Sequence, residues 1–143
     1  MDKLTKEQRI KNMKAVKSKG SKIETLLAKA MWGKGYRYRK NDKSVFGKPD
    51  FTFKKFKIAI FCDSEFWHGK DWELKKHEHK SNVEFWHQKI ERNISRDIEV
   101  NAELERNGWI VIRFWGKEIE KDLIRCLAVI EDKINEVKRK NII

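Results

Sequence analysis

The chain has 143 residues, with 34 Lys and Arg against 22 Asp and Glu, a net charge of +12. That length suits one domain with a real core and is too short for two. The two cysteines, Cys62 and Cys126, lie far apart with no metal-ligand spacing, which excludes a disulfide framework and points to a reduced, cytoplasmic setting. No apolar run approaches membrane-spanning length and the amino terminus is charged throughout, so neither a membrane nor a secretion signal is expected.

Six Trp and an aromatic content of 11% accompany this basic charge. Lys and Arg for phosphates, with rings for stacking or wedging, suggest a polyanion partner and above all a nucleic acid. A solubilising surface is the plainer reading, but such a surface could stay nearer charge balance.

In chain order, "TKEQ" at Thr5 to Gln8 has capping-box form and opens a short basic helix ending near Lys17. Lys11, Lys14 and Lys17 recur on it at helical spacing, so residues 1–20 form a basic arm suited to a DNA backbone. A second capping box, "SKIE" at Ser21 to Glu24, opens a helix whose buried face is Ile23, Leu26, Leu27, Ala30 and Met31. Gly33 and Gly35 stop it, and "YRYRK" reads as a strand.

"NDKSVFGKPD" is loop, held extended at Pro49. The strands "FTF" and "FKIAIFC" follow, joined near Lys54 and Lys55, and Gly69 to Ser81 reads as irregular. A long helix from Val83 carries Trp86, Ile90, Ile94, Ile98 and Leu104 along one stripe and ends at "NG". "WIVIRFW" is a strand, and one final helix runs from about Glu118 to Lys138. The pattern predicts a single mixed α/β domain, 1–143, with a central sheet flanked by helices.

"IFCDSEFWHG", Ile60 to Gly69, ends a hydrophobic strand with two carboxylates, an imidazole and two bulky rings. Asp50 precedes the first hairpin strand and Cys62 and Asp63 follow the second, so the hairpin should make them neighbours. Paired acids at such a corner suit Mg²⁺, which takes hard oxygen ligands. His68 can take a proton from an attacking water at neutral pH, and works best with a carboxylate on its other nitrogen. Asp97, at the edge of the helical stripe, is the candidate for that carboxylate.

Each residue also has a plainer reading. Glu24 can simply complete its capping box, Asp50 shape a turn, and Asp63 cap the next segment. His68 can be a half-buried histidine, and Asp97 can pair with Arg92 or Arg96 on its own helix. Phe66, Trp67 and Trp86 can be core, the default for Trp86. The signals are weak singly and strong together on a basic chain.

"GKPDF", "IFCDSEFWHG", "EFWHQKIERNISRD" and "ELERNGWIVIRFW" resemble the very short patch repair (Vsr) endonucleases, a branch of the PD-(D/E)xK nuclease superfamily, over roughly Lys11 to Lys117. The resemblance implies a restriction-endonuclease-like fold and Mg²⁺-dependent nicking of duplex DNA, 5′ to the T of a T·G mismatch. By position, Glu24, Asp50, Cys62, His68 and Asp97 fall on the family's active-site series. Asp50 would ligate the metal directly, Cys62 through its backbone carbonyl and Glu24 through water, with His68 the base and Asp97 its partner.

Phe66, Trp67 and Trp86 match the rings that the family wedges beside the mismatch. Zinc-bearing members carry Cys or His where this chain has Glu65, Lys70, Trp72 and Lys117, so no structural zinc is expected. Asp63 stands where the family's best-known member has His, and Glu65 beside the wedge has no evident purpose. The implied enzyme acts on double-stranded DNA and can work as a monomer. Two other readings use the same residues: a restriction- or homing-type endonuclease needing no mismatch, and a non-catalytic DNA-binding module.

Overall fold

In the computed structural model, residues 22–65, 68–72 and 83–141 are described, the side chains of 83–86 excepted. The basic arm with Lys11, Lys14 and Lys17, the rings of Phe66 and Trp67, and the side chain of Trp86 lie outside these residues. The elements are α1 (22–33), β1 (Arg39–Lys40), β2 (Phe51–Phe53), β3 (Ile58–Asp63), α2 (Val83–Arg106), β4 (Ile110–Trp115), α3 (Gly116–Lys121) and α4 (Leu123–Asn141).

The four strands form one sheet in the order β1-β2-β3-β4. β1, β2 and β3 pair antiparallel, whereas β3 and β4 are parallel, from Ile58 opposite Ile110 to Asp63 opposite Trp115. A parallel neighbour cannot be reached by a tight turn, and α2 makes the crossover. Helices thus cover a mixed sheet, as the pattern of elements predicted.

Alternation along the strands sends successive side chains to opposite faces. On one face Ile58, Ile60, Ile112 and Phe114 meet Ile23, Leu27 and Met31 of α1 and Cys126, Ile130 and Ile134 of α4. On the other, Ala59 and Phe61 meet Val100 and Leu104 of α2, with Val45 from the loop before β2. No described helix is long and apolar enough to cross a membrane.

α1 and α2 end alike. Gly35 at φ +89° follows α1 while Tyr36 N–H bonds Met31 O at 3.1 Å; Gly108 at φ +85° follows α2 while Trp109 N–H bonds Leu104 O at 2.9 Å. Both are Schellman endings, in which glycine takes the left-handed turn at no steric cost. The expected stops at Gly35 and Gly108 therefore have a geometric cause.

Three expectations need correction. "YRYRK" is strand only at Arg39–Lys40, because Tyr36 still serves the α1 ending and the Tyr38 hydroxyl bonds Ala28 O at 3.1 Å. The last helix is two helices, parted at Asp122 (φ −144°, ψ 58°), whose carboxylate accepts from Arg125 N–H at the start of α4; an Asp is more stable there as a cap than inside a helix. Ile98, expected on the buried stripe, is 65% exposed, while Ile90 and Leu104 are buried as expected and Val100 is buried beside them.

The corrected packing sets a contrast between two α2 side chains. Leu104→Ala should lower stability by about 2–5 kcal/mol, whereas Ile98→Ala should stay within about 0.5 kcal/mol. Urea denaturation of both variants measures this, and equal losses would put Ile98 back in the core.

Candidate active site

The hairpin brings Asp50 and Cys62 together: Cys62 N–H donates to Asp50 Oδ2 at 2.7 Å. Glu24, one residue after the buried Ile23 on α1, hydrogen-bonds the same Asp50 carboxyl. Burial is the main influence pushing Asp50 up to about 7; the Cys62 N–H opposes it, and the charges of Glu24 and Asp63 add to it. Among the described residues no cation pairs with either acid. The Cys62 side chain packs against the α1–α4 core, and burial, with nearby acids, pushes its thiol far above the usual range. A neutral, apolar side chain suits that place, and only the backbone of Cys62 is left to serve the acid corner.

A second cluster forms on the α2 side. His68 Nδ1 lies 2.6 Å from Asp97 Oδ2 and 3.7 Å from Asp63 Oδ1. A carboxylate accepts only, so Nδ1 carries the proton and Nε2 is left as the basic atom. Burial lowers the pKa of His68, but the Asp97 hydrogen bond and the charges of Asp63 and Asp97 outweigh it, and the net shift is upward. Asp63 is also shifted upward, chiefly by burial, against the pull of His68 and Arg113.

Backbone bonds between described residues hold His68 in place: His68 N–H donates to Ser64 O and Lys70 N–H to Glu65 O, both at 3.0 Å. Gly69 seats the His68 loop on α2. Its φ is +65°, and a Cβ there would lie 2.5 Å from Ile94 Cδ1 and 2.9 Å from Ile90 Cγ2. Only glycine satisfies both the backbone turn and the close approach. An open cleft of about 230 Å³ lies where the charged groups meet Ile94 and Ile98, which accounts for the exposure of Ile98.

The structure thus assembles Glu24, Asp50 and Cys62 at one corner and Asp63, His68 and Asp97 beside it. Asp97 faces His68 and not its own helix's arginines. Sequence reasoning missed Arg113. Its Nη1 donates to both Asp63 oxygens at 3.1 Å and approaches Asp97 Oδ1 at 3.4 Å, while Nε donates to Asn101 Oδ1 at 2.7 Å. The available signal was one charge inside the apolar run "WIVIRFW", since a strand interior holds a cation only where anions await it.

Glu65 now has a structural role. Its Oε2 accepts from Lys117 N–H at 2.9 Å, so the carboxylate caps the first turn of α3 and ties the His68 loop to the end of β4. Two further positions that the sequence resemblance singled out, Lys70 and Trp72, are also engaged. Lys70 Nζ lies 5.9 Å from the centre of the Trp115 ring, and Trp72 Nε1–H donates to Glu91 Oε1 at 3.4 Å.

Both clusters hold acids, and they differ in charge balance among the described residues. The ligand atoms of Asp63, His68 and Asp97 lie within 4.8 Å of one another, yet Arg113 already supplies a cation among them. Among the described residues Glu24 and Asp50 have no such cation, and burial, with the charges of Glu24 and Asp63, holds the Asp50 carboxyl well above the usual range. Two hard oxygen donors and a strand-end backbone suit Mg²⁺.

Comparison with known proteins places this chain in a class. Residues 1–74 match the family model described as DNA mismatch endonuclease Vsr. A type II nicking enzyme of Haemophilus parainfluenzae, V.HpaIIP, is 60% identical over 137 residues, 95% of this chain and 97% of its own. Another, V.NmeDIP of Neisseria meningitidis serogroup C, is 56% identical over 136 residues, 95% of this chain and 92% of its own. The DNA mismatch endonuclease Vsr of Escherichia coli K12 is 36% identical over 110 residues, 77% of this chain and 70% of its own. The protein is thus a DNA endonuclease, and it belongs to the Vsr family.

The Asp50 corner makes stability depend on pH in a defined sense. The folded carboxyl holds its proton up to about 7, far above the ordinary Asp value near ~3.9. The fold therefore gains from protonation at low pH and loses that gain as pH rises through about 7. In EDTA the melting temperature should fall between about pH 5 and about pH 8, and Asp50→Asn should flatten that fall. A melting series at both pH values tests it; an unchanged slope in the variant would remove Asp50 as the source.

Proposed function

We propose that this endonuclease nicks one strand of duplex DNA, 5′ to the T of a T·G mismatch, in a Mg²⁺-dependent reaction. The observation that carries the reading is the 2.6 Å bond from His68 Nδ1 to Asp97, formed beside the corner where Asp50 accepts from Cys62 N–H. Asp50, the Cys62 carbonyl and, through water, Glu24 would hold the metal. When bound there, Mg²⁺ supplies Lewis-acid stabilisation of charge on the phosphoryl oxygen.

His68 and Asp97 supply the proton chemistry. Nε2 takes a proton from the attacking water as oxygen bonds to phosphorus and the phosphodiester P–O bond to the leaving strand breaks. Asp97 keeps the proton on Nδ1, so the imidazole presents its basic nitrogen outward and its positive charge is balanced once formed. The Asp97 hydrogen bond and the charges of Asp63 and Asp97 outweigh burial at His68, so its ring gives up its proton at a higher pH than a free imidazole.

The net charge of +12 supports a DNA partner, and monomeric action suits single-strand nicking. Phe66, Trp67 and Trp86 are proposed as wedges that unstack the site, and Lys11, Lys14 and Lys17 as backbone contacts. A mispaired step unstacks more readily than a matched one, which gives the wedge a physical route to selectivity. The mismatch itself rests on the family resemblance and on the name of the E. coli relative.

The test is cleavage of matched and T·G duplexes with Mg²⁺ or EDTA. Nicking confined to the mismatched duplex with Mg²⁺ is expected; equal cutting of both favours a restriction- or homing-type activity, and binding without cutting favours a DNA-binding module. Asp50→Ala should slow nicking by orders of magnitude with DNA affinity retained, because it removes a ligand and not a phosphate contact. Near-normal turnover of that folded variant at saturating Mg²⁺ would sink the ligand assignment.

The structural role of zinc is tested separately. With Glu65 and Lys117 already joined and Lys70 and Trp72 engaged elsewhere, we propose that no zinc staples this loop. Elemental analysis should find no stoichiometric zinc, and chelation should leave the melting temperature unchanged in the absence of Mg²⁺. One zinc per chain would show that other residues, such as His77 and His79, bind it.

A further inference from the structure

We infer that Arg113 is a positioning residue for the nicking reaction: it sequesters Asp63 so that His68 is held by Asp97 alone. The inference rests on the proposed role of His68 as base, and adds the question of which carboxylate sets its orientation.

Two carboxylates compete for one N–H. Asp97 Oδ2 lies 2.6 Å from His68 Nδ1, and Asp63 Oδ1 lies 3.7 Å from the same atom. Asp63 is the more deeply buried of the two, with a side chain 7% exposed against 21% for Asp97. In so dry a place an acid without a partner would turn to the nearest donor, and His68 is within reach. Were it to do so, the ring would swing about its Cβ and carry Nε2 away from the attacking water.

Arg113 removes that competition. Both oxygens of Asp63 accept from Nη1 at 3.1 Å, which occupies the carboxylate on both atoms. The same Nη1 lies 3.4 Å from Asp97 Oδ1, so Asp97 is held at one oxygen by the guanidinium and at the other by His68. A carboxylate fixed at both oxygens cannot rotate about its bond to Cβ. The acceptor is thereby oriented as well as placed.

The guanidinium is itself fixed. It extends from β4 directly opposite Phe61 of β3, and its Cζ stacks 4.0 Å from the Phe61 ring centre. Its Nε donates to Asn101 on α2, one turn beyond Asp97. Nη2 is buried without a hydrogen-bond partner among the described residues. Leaving one donor unpaired costs stability, and the fold accepts that cost for a geometry in which Nη1 reaches both acids. A lysine would meet the charge requirement with a single point donor and could not brace both carboxylates from a stacked, planar group.

The experiment uses the full chain and a T·G duplex with Mg²⁺. Arg113→Lys should slow single-turnover nicking about 10- to 100-fold through misplacement of the base, with duplex affinity little changed. Arg113→Met should be at least as slow, and adding Asp63→Asn to it should restore much of the rate, because the competing charge is gone. Imidazole NMR of His68 should show its Nδ1–H signal altered in Arg113→Met and returned toward wild type in the double variant. Should Arg113→Met fail to fold, the Lys variant carries the comparison, with Asp63→Asn added to it in the same way. Wild-type nicking by Arg113→Lys, or a slow Arg113 variant that Asp63→Asn leaves as slow, overturns the inference. His68→Ala separates the two levels: its inactivity alongside wild-type Arg113→Lys overturns this inference alone, whereas wild-type nicking by His68→Ala overturns the base assignment and this inference with it.

Discussion

Successive side chains of a strand point to opposite faces, and at the end of β3 that rule divides the chemistry of the protein. Cys62 turns its side chain to the core shared with α1 and α4, while Asp63, one residue on, lies with Arg113 and Asp97 toward α2. Two acid clusters of different character then sit at one strand end. Among the described residues the Glu24–Asp50 corner has no cation, whereas the Asp63–Asp97 cluster contains Arg113. That difference in charge balance is the basis on which the metal and the proton chemistry are assigned to separate clusters in the proposed function.

The parallel pairing of β3 and β4 has a direct consequence for that division. It sets Phe61 opposite Arg113 and Asp63 opposite Trp115, so the guanidinium crosses to Asp63 from a neighbouring strand. The crossover that parallel pairing demands is α2, and α2 carries Asp97 and Asn101. Topology and chemistry are therefore joined. The helix needed to connect the strands is the one that supplies the partner of His68.

The His68 loop shows how local and distant contacts share one task. Backbone bonds within Ser64 to Trp72 shape it, and Gly69 lets it lie against Ile90 and Ile94. Glu65 fastens its other side to the first turn of α3. His68 itself lies in a turn, and the contacts with α2 and α3 on either side place its imidazole 2.6 Å from Asp97. In this chain a carboxylate at a helix start anchors the loop.

Much of this was legible in the residues themselves. Alternation and helical spacing located the hairpin, α1, α2 and their glycine stops, because those signals are local and each follows from a steric rule. The meeting of Asp50 with Cys62 followed from the return of a hairpin to its own end, and Asp97 stood out as an acid beside an apolar stripe. Arg113 was not found, because its partners lie on β3 and α2, far away in sequence, and only the parallel register brings them together. Glu65 was unexplained for the same reason: its acceptor atoms meet a backbone N–H beyond the next strand. Residue type and spacing determined which groups could do chemistry; the tertiary structure decided which charges face one another, since charge balance depends on distances that no local pattern encodes.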